Sequence, residues 1–410
     1  MQRHAFSAAA NPLPGAGEPE QVGLSSERLK RVKRVGEAFR FEVEEQDRWR
    51  SANEFDPNET GARVVCGHVH PNAATRRAYP QMLGGGTAML RVLTALALIV
   101  VPASFGTDGA NAQLAGQEFY PIPSAAMSQA DFLTGKKGTP LTLAGQLRLP
   151  KAGPEKQPAV ILLHGAIGPG GTGFFYEEWT RVLNEAGFAT FGVDSFAGRG
   201  IVNLPDDIAK VPAITRMVDA YRALEILAKH PMIDPTRIAV MGFSHGAPAA
   251  LYSGMKRFRE AHAGGDVQFA AHISVYGICF TAYREDQDSN KPLLMLHGTA
   301  DDWLPIEACR RYADRLRKAG RDVRLMEYPD AHHGYDQPAR RQPVKLAEAV
   351  TPRRFNLAEG ENGAIVNVDT KQPFTRTDPC FEKGVTVAYH EAAAKKSHED
   401  VIAFLKERLK

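Results

Sequence analysis

The chain has 410 residues, enough for one large domain or two ordinary ones, and its apolar fraction of 43% suits a globular protein with a full core. Its 50 basic and 47 acidic side chains leave a net charge of only +3, which gives no reason to invoke nucleic acid or an acidic membrane surface. The four cysteines, Cys66, Cys279, Cys309 and Cys380, show none of the short paired spacings of a zinc site.

Residues 1–81 are rich in Arg, Glu, Ala and Pro and have few apolar runs. They read as a disordered extension, or as one that is not part of the mature protein. Within them, residues 17–32 resemble the opening of penicillin-binding-protein-like serine hydrolases, over a stretch too short to bring that function. The S-x-x-K of those enzymes occurs only as Ser253 to Lys256, where chance and packing explain it better.

Residues 82–112 read as a secretory signal. Arg91 supplies a small positive region, residues 92–101 are almost purely apolar, and Ala110-Asn111-Ala112 forms a cleavage pattern before Gln113. The apolar stretch is well short of the ~20 residues a membrane span needs, so no stable span is expected. A buried core helix is the other reading. The small and turn residues that follow (Pro102, Ser104, Gly106, Gly109) weigh against it. A signal belongs at an N-terminus, which would make Met82 or Met89 the true start. The protein is then periplasmic or secreted, and cytoplasmic if the segment is not used.

From residue 113 to 410 the pattern is that of a single α/β domain. Strands are expected at 141–149 (an edge strand), 159–163, 188–193, 238–241, 269–276, 292–296 and 323–328. Helices are expected at 173–186, 214–229, 306–318 and 390–409. Strands alternating with helices imply a mostly parallel, doubly wound sheet with helices on both faces. Residues 337–384 interrupt this with polar, Pro- and Arg-rich sequence, including Arg340, Arg341, Arg353 and Arg354. They read as an excursion near the rim of the site.

The chemistry centres on Gly242-Phe243-Ser244-His245-Gly246. A buried strand precedes this G-x-S-x-G and a helix-like stretch follows, the context a nucleophile elbow requires. A serine hydroxyl is a poor nucleophile near pH 7 and needs a base, which in turn needs a carboxylate to orient it. Both should come from loops at the carboxyl ends of later strands. After residues 292–296 the sequence offers Asp301 and Asp302, of which Asp301 is the preferred orienter and Asp302 suits a helix N-terminus. After residues 323–328 it offers His332 and His333, of which His333, directly before Gly334, is the preferred base. An oxyanion hole needs two N–H donors. His245 supplies one, and the loop that begins His164-Gly165 supplies the other from Ala166, with Ile167 in reserve. The same loop lacks the pattern of a phosphate-binding loop, and no cofactor or metal is called for.

These segments together resemble the dienelactone hydrolase family of α/β-hydrolases, over about residues 132–410. The resemblance is carried by the loop at His164, the stretch from Val193 to Gly200, GFSHG at Ser244, HGTADDWLP at His297 and YPDAHHGYD at Tyr328. It implies an α/β-hydrolase fold, with Asp301 and His333 matching the family's carboxylate and histidine. The enzyme that names the family has a cysteine nucleophile, whereas this chain has Ser244, which favours a general ester or lactone hydrolase acting on a small molecule. The resemblance also puts Arg199 near the pocket, either meeting a substrate carboxylate or pinning its loop through a salt bridge. In an exported protein, neighbouring strand ends would let Cys279 pair with Cys309, leaving Cys380 unpaired. A peptidase or thioesterase on the same fold, and a catalytically silent binding protein, are the rival readings. The sequence leaves the oligomeric state open.

Overall fold

The computed structural model describes residues 116–409, save 151–154, 172, 202–209, 285–289, 353–355 and 376–380. The readings of residues 1–81 and 82–112, and of Cys66, Arg353, Arg354 and Cys380, fall outside the described residues. The elements run β1 (Gly116–Ala126), α1 (Gln129–Leu133), β2 (Thr139–Leu149), β3 (Gln157–Leu163), α2 (Gly173–Glu185), β4 (Ala189–Asp194) and α3 (Arg216–Ala228). Then come β5 (Ile233–Phe243), α4 (Ala247–Tyr252), α5 (Lys256–His262), β6 (Ala271–Val275), β7 (Thr281–Ala282), β8 (Leu293–Gly298), α6 (Ile306–Lys318) and β9 (Val323–Tyr328). The chain closes with β10 (Val344–Thr351), β11 (Leu357–Glu359), β12 (Ile365–Asn367), β13 (Glu382–Val387) and α7 (Glu391–Arg408).

Eight strands form one sheet in the order β1-β2-β4-β3-β5-β6-β8-β9. From β4 to β9 every neighbour is parallel, and only the β1–β2 and β2–β4 pairs are antiparallel. Parallel strands need crossovers, and helical crossovers cover both faces, so residues 159–163 of β3 and 238–243 of β5 are apolar throughout rather than alternating. In β3, Ala159, Ile161 and Leu163 enter one buried cluster while Val160 and Leu162 enter the other. In β5, Ile238 and Val240 face the first cluster and Ala239, Met241 and Phe243 the second. Helices α3 to α6 close the first face through Met217, Leu224, Leu251, Phe258 and Tyr312. Helices α2 and α7 close the second through Trp179, Leu183, Val401 and Phe404.

Residues 141–149 are not an edge. β1 pairs with the whole length of β2, from Gly116 opposite Leu149 to Ala126 opposite Thr139, and is itself the outermost strand. Pro121 and Pro123 disguise β1 in the sequence, since proline removes a ladder donor and an edge strand tolerates that loss. Within residues 337–384 the described part forms strands that the sequence did not suggest. β10 and β13 pair as an antiparallel ribbon outside the main sheet, and β11 and β12 join β7 in a small one. In the ribbon β10 leaves Val344 and Val350 exposed, and only Val385 and Val387 of β13 are buried, an alternation too short for a pattern to reveal.

Cys279, beyond β6, is joined to Cys309 on α6 by a disulfide with the Cα atoms 4.9 Å apart. Both cysteines are buried. The bond closes a loop with a sequence separation of 30, and cross-linking a loop of that length removes about 3–4 kcal/mol of denatured-state entropy. Replacing both cysteines with serine should therefore lower unfolding free energy by about that amount. Denaturant melts of the double variant against the oxidised protein measure it.

Candidate active site

The site stands where β3, β5, β8 and β9 end, along the carboxyl edge of the sheet. Ser244 follows β5 at φ 49°, a left-handed conformation that costs a non-glycine residue about 1 kcal/mol or more. The flanking glycines make the turn possible. A Cβ on Gly242 would lie 2.3 Å from the Gly246 carbonyl oxygen. A Cβ on Gly246 would lie 2.4 Å from the Leu163 oxygen and 2.5 Å from the His164 oxygen. Closing the elbow thus presses the end of β3 against it. The loop after β3 comes with it: a Cβ on Gly165 would stand 3.6 Å from Ser244 Cβ. His245 lies in the helical turn that begins at the serine, and Ala166 lies in the turn after β3.

His333 follows β9, just before Gly334 at φ 69°. Its Nε2 lies 2.9 Å from Ser244 Oγ and its Nδ1 2.8 Å from Asp301 Oδ2. A carboxylate only accepts, so Nδ1 carries the proton and the Nε2 lone pair faces the serine hydroxyl. Asp301 is buried. Its Oδ1 accepts the backbone N–H groups of Trp303 and Leu304 at 3.0 and 2.8 Å. Burial works to raise its pKa, but the charge of His333 and the hydrogen bonds from His297 and His333 outweigh it, holding the carboxyl well below the usual carboxylate range. Asp302 turns elsewhere and accepts the Thr386 N–H at 2.8 Å. His332 is half-buried and bonds neither Ser244 nor Asp301.

Arg199 answers to the second of its two readings. Its Nη1 and Nη2 meet the two carboxylate oxygens of Asp219 at 3.0 and 2.9 Å, and also donate to the Ser195 and Ala125 carbonyls. With its side chain only 6% exposed, it pins its own loop.

Two aromatic rings that the sequence reading gave no role hold the imidazole. Tyr276 meets His333 edge-on with centroids 4.8 Å apart, and Trp303 lies 5.0 Å away on a tilt. Trp303 is fixed from outside, its Nε1 donating to the Val350 carbonyl while its own carbonyl accepts from Thr351 Oγ1. The β10–β13 ribbon therefore buttresses the Asp301 loop, and Val387 of β13 also bridges to His333. Trp303 lies inside HGTADDWLP and Tyr276 ends the strand expected at 269–276, so spacing alone gives no reason to single out either.

Beneath His333, the buried carboxyl of Asp336 accepts from Trp179 Nε1 at 2.8 Å and from the Tyr276 hydroxyl at 3.0 Å. Burial pushes its pKa up to about 7, against the lowering effect of these two donors. The folded state then keeps a proton that the unfolded chain releases near pH 4, so this group's stabilisation is complete in acid and is lost as pH rises towards 7. The loss amounts to about 4 kcal/mol at most. In Asp336→Asn, the amide can accept from Trp179 and donate to the Tyr276 oxygen. Stability measured by denaturant between pH 4.5 and 7.5 should fall less steeply in that variant than in the parent.

A mostly parallel eight-stranded sheet with a serine on a strained turn after a central strand defines an α/β-hydrolase. The chain belongs to the dienelactone hydrolase family, whose family model matches residues 143–409, and it is a hydrolase of that family. Among curated proteins, the uncharacterized peptidase YuxL of Bacillus subtilis is 27% identical over 146 residues, covering 30% of this chain and 22% of its own length. Acylamino-acid-releasing enzyme 1 of Oryza sativa subsp. japonica is 23% identical over 225 residues, covering 44% and 28%. The chain spans less than a third of the length of these curated relatives. Among solved structures, a putative dienelactone hydrolase from Klebsiella pneumoniae has a TM-score of 0.45 and 17% identity, covering 70% of this chain and 99% of that one.

Proposed function

We propose that the protein cleaves carboxylic esters or lactones of small molecules through an acyl-enzyme on Ser244. The observation that carries this reading is the continuous relay from Ser244 Oγ through His333 to an ionised, buried Asp301. His333 Nε2 takes the hydroxyl proton as Oγ attacks the carbonyl carbon. The N–H groups of His245 and Ala166 receive the oxyanion. The imidazolium, steadied by Asp301, returns its proton to the leaving alkoxide. Water then repeats the sequence on the acyl-enzyme and frees the acid. Each step uses groups of the chain and water.

The curated relative named as an uncharacterized peptidase favours amide cleavage as a second reading. A panel of p-nitrophenyl esters of graded chain length, one lactone and one peptide p-nitroanilide separates the two. Turnover of the esters or the lactone without the anilide is the expected result. Preferential turnover of the anilide would favour the peptidase. We also place the enzyme outside the cytoplasm, a reading supported by the Cys279–Cys309 disulfide, since such bonds persist in oxidising compartments.

A further inference from the structure

The two segments assigned the oxyanion donors are touched by one side chain. Arg216, the first residue of α3, is fully buried. Its Nη1 donates to the His164 carbonyl at 2.6 Å and lies 3.4 Å from His245 Nδ1. A guanidinium only donates, so His245 Nδ1 accepts and its proton sits on Nε2. The cation also lies over the Phe196 ring, 5.4 Å from the centroid. No acceptor among the described residues meets its Nε or Nη2.

Three costs are stacked here. A buried charge is expensive, its unmet donors add to that, and a helix N-terminus is the wrong end for a cation. Burial lowers its pKa only to about 10, with Asp219 acting against the fall, so it stays charged at neutral pH. Local rules broken in this way tend to mark a functional role.

The His164 ring continues the chain of contacts. Its Nε2 accepts the Ser195 N–H at 3.1 Å, so Nδ1 carries the proton and donates to the Gly165 carbonyl at 2.8 Å. Burial, reinforced by the Arg216 charge, keeps this imidazole neutral. The Gly165 carbonyl and the Ala166 N–H belong to one peptide group. A hydrogen bond to that carbonyl polarises the group and strengthens the N–H as a donor.

We propose that Arg216 is a positioning residue for the oxyanion cradle, holding the His164–Ala166 loop against the Ser244–His245 turn and adding positive potential behind both amides. The proposal rests on the assignment of Ser244 as nucleophile with His245 and Ala166 as donors. Its test uses Arg216→Met and Arg216→Lys, assayed with a p-nitrophenyl ester. Fluorophosphonate labelling to completion counts the competent serines in each preparation. In Arg216→Met, kcat should fall about 10- to 100-fold with KM within about threefold, and Arg216→Lys should lie between it and the parent.

Affinity for a trifluoromethyl ketone, which forms a tetrahedral adduct with the serine, should fall by the same factor as kcat/KM. Affinity for the matching secondary alcohol, which forms no adduct, should not move. A purely structural role would weaken both ligands together, and that result overturns the proposal. So does a folded Arg216→Met whose kcat and ketone affinity stay within twofold of the parent. If Arg216→Met does not fold, Arg216→Lys is judged by the same two ligands. Esterase activity that survives in Ser244→Ala would instead show that the assignment of the serine has failed.

Discussion

Replacing Ser244 with alanine lowers kcat for ester hydrolysis by roughly 10⁵- to 10⁶-fold and leaves the fold standing. The size follows from the relay. His333 Nε2 has one proton to take, from an oxygen 2.9 Å away, and without that oxygen it can act only on water. The fold survives because the elbow's shape is set by its neighbours. Gly242 and Gly246 leave room for close backbone approach on either side, and alanine inherits the φ of 49° with much the same strain as serine. The substitution removes one half-exposed hydrogen bond, so Tm should move by no more than about 2–4 °C. Steady-state kinetics and a thermal melt measure the two halves of the prediction. A fluorophosphonate probe sharpens it, because only an activated serine reacts, and labelling should vanish with the hydroxyl. Labelling that persists would mean another nucleophile does the work. A parent protein that never labels would point to a hydrolase fold kept as a binding protein.

The parts of this site legible in the sequence are those whose physics is local. A strand–G-x-S-x-G–helix run reports its own turn, and α6 and β9 kept their expected limits because each has a strong period and clear breakers at its ends. The strand-end rule then placed Asp301 and His333 on neighbouring loops. What stayed hidden depends on distant partners. Nothing near Arg216 says that it is buried, since an arginine opening a helix ordinarily points to solvent. Arg199 carried two readings because its partner, Asp219, lies on another element. β1 was missed because its prolines look like breakers until β2 is seen beside it. The β10–β13 ribbon was missed because β10 is largely exposed and β13 buries only Val385 and Val387, too short an alternation to stand out, although the ribbon steadies the loop that holds the carboxylate.

The choice between the two adjacent aspartates yields the second large effect. Asp301→Asn should lower kcat by about 10⁴-fold, whereas Asp302→Asn should stay within about threefold of the parent. The reason is orientation rather than charge alone. The N–H groups of Trp303 and Leu304 both point at Asp301 Oδ1, so an asparagine there must turn its carbonyl oxygen towards them. Its NH₂ then faces His333 Nδ1, which sits 2.8 Å from the second carboxylate oxygen in the parent. Two donors cannot share that contact, so the imidazole gives up its Nδ1 proton and carries one on Nε2. Nε2 would then present a proton to Ser244 where a lone pair is needed, and the base is lost with every atom still in place. Among the described residues Asp302 accepts the Thr386 N–H through Oδ1, a contact an asparagine oxygen can keep. Kinetics of the two variants side by side, with melts to confirm that both are folded, decide the matter. If Asp302→Asn lost activity and Asp301→Asn kept it, the relay would have to run through the other carboxylate.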